Sequence, residues 1–425
     1  MVNLGMQRLL HELRARLAAP SRNPRMAVVF GRLLGAAFLI CFGTGLYSHF
    51  IQEPLPWMHF ATRPIFLYQV TQGIHITAGI LCFPLLFAKL YAVFPELFQT
   101  PPIKGFVHLL ERGSIALFVA SSIVQIVIGL LNTYQWYALF PFPFRQTHFA
   151  LSFVIIGSLA IHIATKLPII TKYWSKKNSY DASGDLVEVE EENDGSFQPI
   201  AGEMQPVGGI TGKVFDWIDR TPAPPKPATS RRAFIATFSI VGAALVALTA
   251  GQSFRLLDPV NIFGPRKNGI GPNALPVNRT AKKAKVIESA SSKNWKLSVV
   301  NGDVAKSYSL AELGALPQYA VELPIACVEG WSQMASWRGV RLKDLVGDVG
   351  GASGVSLKAT SLEQNSSYAV TTMGPEFVWD DLTLVALQVN GEPLDLDHGY
   401  PARLIAPARP GVLQTKWLSS LEVLA

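Results

Sequence analysis

The sequence predicts a membrane α-helical bundle, four helices plus a fifth anchor helix, followed by an α+β, mostly β, domain. Three observations carry this reading. Hydrophobic residues make up 49% of the 425 positions and charged residues only 16%, a departure from soluble averages. The apolar residues concentrate in five runs, near 27–47, 65–92, 114–131, 147–166 and 233–251, each able as a helix to cross about 30 Å of hydrocarbon. From about residue 254 the chain turns to short β-type runs, at 295–300, 355–360, 368–372 and 382–389, punctuated by Gly, Pro and Asn.

Taken in order, residues 1–26 form a cytoplasmic amphipathic segment, because leucines between 4 and 19 fall at helical spacing opposite arginines. A frayed tail is the plainer alternative. The four-helix membrane domain spans 27–170. Lys and Arg number sixteen in residues 1–26, at 104–112 and in 166–232, against only Arg63 and Arg145 in the intervening loops. By the positive-inside rule the N-terminus is cytoplasmic and the C-terminal domain extracytoplasmic, in a bacterial plasma membrane, and the net charge of +7 then needs no nucleic acid to explain it. Residues 171–232, with an acidic run at 188–194 and prolines at 222–227, read as a disordered cytoplasmic linker.

The linker ends in Thr229-Ser230-Arg231-Arg232-Ala233-Phe234-Ile235, ahead of the uncharged fifth helix at 233–252. That string resembles a twin-arginine export signal; two arginines before any spanning helix also satisfy positive-inside. Small residues at Ala247 and Ala250 are compatible with cleavage, and an uncleaved anchor is the simpler reading.

Ionisable side chains inside a bilayer are functional candidates. His148 and His162 lie 14 residues apart on the fourth run. This is about 21 Å along a helix axis, and 14 steps of about 100° return to nearly the same face. Each haem iron needs a second axial ligand at matching depth. His75, in the outer half of the second helix, suits His148, and His108, at the cytoplasmic start of the third, suits His162. His49 and His59 are alternatives to His75, polar helix contacts are the structural alternative for all, and Arg32 and Arg63 either pair with haem propionates or snorkel. The pattern resembles the membrane b-type cytochromes of bacterial dehydrogenases and hydrogenases, which implies two b-type haems and a cytochrome b domain. It departs at the inner partner, which in some relatives comes from the first helix.

The chain has three cysteines, too few for a disulfide framework, and two of them, Cys41 and Cys82, lie in apolar runs. The third, Cys327, sits in Pro324-Ile325-Ala326-Cys327-Val328-Glu329-Gly330-Trp331-Ser332. A thiolate is a soft, charged ligand able to hold a transition metal. This string, with residues 398–407 (HGYPARLIAP) and 411–417 (GVLQTKW), resembles the sulfite oxidase family of molybdopterin-dependent oxidoreductases. The resemblance covers about residues 270–425 within a molybdopterin domain at 253–425. It implies that Cys327 holds molybdenum chelated by a pterin dithiolene. It also implies that His398 and Arg403 belong to the pterin turn, that Gln414, Thr415 and Lys416 hold the phosphate, and that Asn278 and Arg279 make an early pterin contact. Glu329, Trp331, Ser332, Trp337 and Arg338 follow the ligand and are either substrate-facing groups or ordinary packing of the cysteine loop.

The implied function is a membrane-bound molybdenum oxidoreductase transferring oxygen atoms outside the membrane, coupled to its own di-haem domain and exchanging electrons with quinone or another partner. Outward electron flow means reduction of a small-molecule or protein-bound sulfoxide, the favoured direction, as in related exported methionine sulfoxide reductases with a separate haem subunit. Inward flow means sulfite dehydrogenation. A non-catalytic haem conduit or redox sensor is the alternative outside enzymes.

Overall fold

The computed structural model describes residues 17, 19–98, 105–139, 141–181, 186–187, 209–220, 230–364 and 366–424. Residues 1–16 and 18 of the expected N-terminal amphipathic segment and the acidic run of the linker lie outside these residues. An N-terminal helical region with several apolar helices precedes a mostly-sheet C-terminal domain. Among the described residues, five helices are long and apolar enough to cross a membrane: Pro24–Gln52, Leu67–Phe98, His108–Thr133, Phe144–Thr165 and Arg231–Gln252. Their α-helical parts are named α1 (Pro24–Gln52), α2 (Leu67–Val93), α3 (Phe106–Thr133), α4 (Phe144–Thr165) and α5 (Arg231–Thr249). Ser230 caps α5, its hydroxyl accepting the Ala233 N–H at 3.2 Å, so the serine of the arginine string also has an ordinary helix-starting role. Inside the expected linker, Gly209–Arg220 is helical, because Val214, Trp217 and Ile218 recur at helical spacing in a stretch free of proline.

The chain divides into two compact units. The first takes Met1–Leu39, Gly79–Gly129 and Phe142–Leu245. Its best-packed region joins Met26, Ala27 and Phe30 of α1 to Ala88 and Ala92 of α2 and Phe234 of α5, with Phe30 meeting Phe234 edge-on at 5.3 Å. Arg32 stacks on Trp174, 3.8 Å from the ring centroid, and donates to the Trp174 carbonyl at 3.1 Å.

The second unit takes Ile40–Ala78, Leu130–Pro141 and Val246–Ala425. It holds two five-stranded sheets. In the first, β1 (Lys296–Asn301), β2 (Val304–Ser309), β5 (Ser356–Ser361), β6 (Val370–Met373) and β10 (Leu418–Leu424) run in the order β2-β1-β10-β5-β6. Only β1 and β10 pair in parallel there. In the second, β3 (Tyr319–Ala326), β4 (Ser332–Arg341), β7 (Leu384–Val389) and β8 (Glu392–Pro393) follow one another, and β9 (Arg403–Ile405) pairs with β7. All four β-type runs read from the sequence are strands. Alternation explains them: β5 buries Leu357, Ala359 and Ser361 and turns the intervening residues outward. Gly339 marks a register shift between β4 and β7, and a Cβ there would stand 2.1 Å from the Val385 carbonyl oxygen.

The same unit anchors the 53–66 segment to the sheets. Arg63 grips Asp380 with two hydrogen bonds of 2.7 and 3.0 Å, and the Ala408 N–H donates to the Ile65 carbonyl at 3.1 Å. Arg63 is therefore neither snorkelling nor aimed at a propionate; the carboxylate of Asp380 offers a better-matched planar partner. Ile51 of α1 and Tyr68 of α2 join the core built on Leu297, Leu357 and Leu421.

Candidate metal centre

Cys327 stands at the tip of the β3–β4 hairpin. Its N–H donates to the Trp331 carbonyl at 2.8 Å, and the Gly330 N–H returns to the Cys327 carbonyl at 3.0 Å. Closing so short a turn puts Gly330 at φ +96°, where a side chain is strained. The thiol is buried, 1% exposed. Burial pushes its pKa well above the ordinary thiol value and the Glu329 carboxylate adds to the effect, while Lys416 and Arg266 oppose it.

The predicted cofactor residues converge from three distant segments. Lys416 is half-buried and spreads its ammonium over the Asn278 side-chain oxygen (3.0 Å), the Arg279 carbonyl (2.6 Å) and the Asp397 carbonyl (2.9 Å). Burial, aided by Arg403, pushes its pKa down to about 7. Arg403 donates to the carbonyls of His398 at 3.1 Å and Gln414 at 3.2 Å, and burial lowers it to about 9. The His398 ring Nε2 meets the Leu275 carbonyl at 3.2 Å, and burial pushes that imidazole down to about 4. Gln414 is spent on the backbone, exchanging two 2.8 Å bonds with Ala406. Thr415 shares a 2.7 Å hydroxyl contact with Thr371, and Arg279 pairs with Glu363.

Two cavities flank these groups. One of ≈310 Å³ is lined by Gln135, Arg266, Lys267, Asn278, Thr280 and Lys283 among others. A smaller one of ≈70 Å³ has Asn278, Arg279, Tyr368, Gln414, Thr415 and Lys416 in its wall. Asn278 lines both. Cys327 lies in neither wall; it is close enough to feel the charges of Arg266, from the first, and Lys416, from the second.

Of the residues that follow Cys327, Glu329 alone contacts the wall of the larger cavity, receiving Gln135 at 2.5 Å and lying 3.9 Å from Arg266. Trp331 is buried, with its indole directed at the Glu329 carboxylate. Ser332 and Trp337 are packing groups, bonded to the Ser253 carbonyl at 3.1 Å and the Leu323 carbonyl at 3.1 Å, and Arg338 is exposed on β4. Arg409 is a buried cation that sequence reasoning missed; it donates to the Thr372 carbonyl at 2.6 Å. Its signal was the second arginine of a buried-type string, Ala408-Arg409-Pro410, just after the pterin turn.

The histidines fall in both units. In the second, the His75 Nδ1 sits 3.0 Å from the Thr44 hydroxyl and 3.1 Å from the Cys41 carbonyl, and Gly45 leaves room beside it. His49 pairs with Glu53 at 3.7 Å and His59 with Glu376 at 3.4 Å. In the first unit, His148 and His162 lie on α4 and His108 in the first turn of α3. His162 stacks with Phe118 at 6.1 Å, and its buried Nδ1 has no hydrogen bond.

Residues 283–425 match the family model described as oxidoreductase molybdopterin binding domain. The C-terminal domain is a molybdopterin-binding oxidoreductase domain. The chain is 32% identical to the oxidoreductase YuiH of Bacillus subtilis over 27% of its own length and 57% of that protein's. It is 30% identical to a protein assigned as protein-methionine-sulfoxide reductase subunit YedZ1 of Azospira oryzae, over 28% of this chain and 44% of that protein. Mitochondrial sulfite oxidase of Homo sapiens is 26% identical over 30% of this chain and 29% of its own length. The chain thus spans about half or less of the curated relatives it matches.

The residues present suit a molybdopterin. Arg266 and Arg409 each keep a buried Nε without a partner. Lys416 and Arg403 make their direct hydrogen bonds to neutral oxygens. Buried donors and cations so arranged call for a polyanionic, acceptor-rich group, which a phosphate-bearing pterin is. Among the described residues no three His, Cys, Asp or Glu side chains converge on one point, so a metal held by Cys327 would need further ligands from a bound cofactor.

Proposed function

We propose that the chain is a membrane-bound molybdenum oxidoreductase that transfers an oxygen atom on the extracytoplasmic side and draws its electrons through two b-type haems in its own helical region. The observation that carries this reading is the convergence of Cys327, Lys416, Arg403 and Asn278 within the molybdopterin-binding domain. When bound, the molybdenum cofactor supplies two-electron oxygen-atom transfer. Cys327 would ligate the metal as thiolate, and its raised pKa means that ligation displaces a proton. Lys416 would neutralise the pterin phosphate, Arg403 and Arg279 would border the pterin itself, and Gln414 fixes the segment that presents Lys416 by its two bonds to Ala406.

In this reading His75 with His148 and His108 with His162 hold the haems, which when bound relay single electrons. The spacing of His148 and His162, the apolar setting of all four and the unbonded Nδ1 of His162 support the assignment. The Lys and Arg bias of the loops favours a cytoplasmic N-terminus and an extracytoplasmic catalytic domain. Ser230-Arg231-Arg232 serves in the same reading as a twin-arginine signal for a domain exported after folding, and lipid and quinone are the partners of the helices.

Reduction of a sulfoxide is the preferred direction, in keeping with the name of the Azospira oryzae relative. Oxidation of sulfite is the second reading, favoured by the similarity to the mitochondrial sulfite oxidases. Purified full-length protein assayed with methionine sulfoxide and with sulfite, alongside molybdenum and haem quantification, decides. Turnover of sulfite alone reverses the direction, and haem without molybdenum reduces the chain to an electron conduit.

A further inference from the structure

The three residues after Cys327 expose a row of carbonyls to the helix ends of the second unit. The Val328 carbonyl accepts two amide N–H groups, from Gln72 of α2 at 3.2 Å and from Asn132 at the end of α3 at 3.3 Å. The Glu329 carbonyl takes Gln252, just past α5, at 3.5 Å, and the Gly330 carbonyl takes the neighbouring Ser253 hydroxyl. Gln135, in the turn after α3, divides its amide nitrogen between the Glu329 carboxylate at 2.5 Å and the Asn278 carbonyl at 2.7 Å.

These amides are built into place. Gln72, Asn132 and Gln252 are buried. The Tyr137 hydroxyl donates to the Asn132 side-chain oxygen at 2.7 Å, which turns the Asn132 nitrogen toward Val328. Gln135 holds a left-handed backbone, φ +58°, unusual for a residue with a side chain and maintained by its two bonds. Ile76, one turn beyond Gln72, lies so close to Gly330 that a Cβ there would stand 3.0 Å from its Cδ1. Neutral donors suit the position, since they satisfy the loop carbonyls without adding charge beside a metal-bound thiolate.

We infer that Gln72, Asn132 and Gln135 are positioning residues of the metal centre: the outer ends of the apolar helices hold the loop that presents Cys327, so the helical region is a structural part of the site and not only its electron partner. The inference rests on the reading of Cys327 as the molybdenum ligand. Groups that orient a metal ligand from behind typically change metal affinity or activity about 10–100-fold when removed.

The test uses the full chain with Gln72 and Asn132 both changed to Leu, similar in volume and helix-compatible. In cofactor-free protein, Cys327 alkylation is followed by peptide mass, with the Cys41 and Cys82 peptides as internal references; the rate at Cys327 rises at least about 10-fold. In protein made with cofactor, molybdenum per chain falls by a similar factor. Gln135→Gly is the second variant, because glycine adopts φ +58° without strain while the side chain and its amide are lost; it shifts the Mo(V) electron paramagnetic resonance signature. Ile74→Ala, on the exposed side of α2, changes none of these. Unchanged alkylation, molybdenum content and resonance signature in variants with wild-type circular dichroism overturn the inference. If the double variant does not fold, the Gln135→Gly signature alone decides. A Mo(V) resonance signature unchanged by Cys327→Ser overturns the parent reading instead, and the alkylation result still stands by itself.

Discussion

Gly411 lies directly on the backbone of Cys327: a Cβ at residue 411 would stand 2.9 Å from the Ala326 carbonyl oxygen and 3.5 Å from the Cys327 Cα. The adjoining Ala326 and Pro410 form a parallel bridge. The segment ending in Lys416 is thereby pressed against the loop that carries the thiol. Gly411→Ala is expected to push the two apart, costing about 1–3 kcal/mol as overpacking does. Thermal unfolding and molybdenum content per chain, measured together, check it; a variant with wild-type values in both contradicts the tight apposition.

Cys327→Ala removes the only protein thiol near the buried cations. Oxygen-atom transfer is expected to vanish while the haem absorption spectrum stays as in the wild type. Activity assays and visible spectra on one preparation test this, and residual turnover above about 1% of wild type counts against the ligand assignment.

His398 makes the fold sensitive to acid. Its folded pKa is depressed to about 4 against about 6.5 in an unfolded chain. Above 6.5 both states are neutral and the group has no effect. As pH falls from 6.5 to 4 the unfolded chain takes up a proton that the folded one refuses, so stability drops by roughly 3 kcal/mol. Denaturant titrations of the cofactor-free protein across this range are expected to show the loss, and His398→Asn to flatten it.

The Arg63–Asp380 pair holds the 53–66 segment to the sheets by two hydrogen bonds, with Arg63 half exposed. Arg63→Ala is expected to cost about 1 kcal/mol, lowering the thermal midpoint of the C-terminal domain by about 2–4 °C. A calorimetric scan in detergent reads the shift directly.

In the proposed haem assignment, where His162 is the α4 ligand at the inner level, His162→Ala is expected to remove one of two haems and halve the absorbance at the α band. Full haem content in this variant points to another partner for His108.

The cysteine, the Arg and Lys anchors and the five apolar helices were legible because each announces itself locally, through residue type or a long run. The amides were not. Gln72 and Asn132 read as ordinary polar residues at helix ends, and their partner Val328 lies 256 and 196 positions away, a relation no local pattern carries. Proximity in sequence also misled: after Gly330 the chain enters β4, where alternation sends Trp337 into the core and Arg338 outward. The helix at 209–220 was hidden by the prolines and acids on either side of it.

The place of β10 between β1 and β5 has a consequence for biogenesis. The first sheet cannot close until residues 418–424 have left the ribosome, about 175 residues after the end of α5 at Thr249. At about 5–20 residues per second that is a lag of roughly 10 to 35 s. Throughout it the Arg231-Arg232 string is already accessible while Lys416 and its pocket do not yet exist. In the proposed export reading, transport of the loaded domain has to follow completion of this sheet, and slowing synthesis of its last strand should not harm assembly.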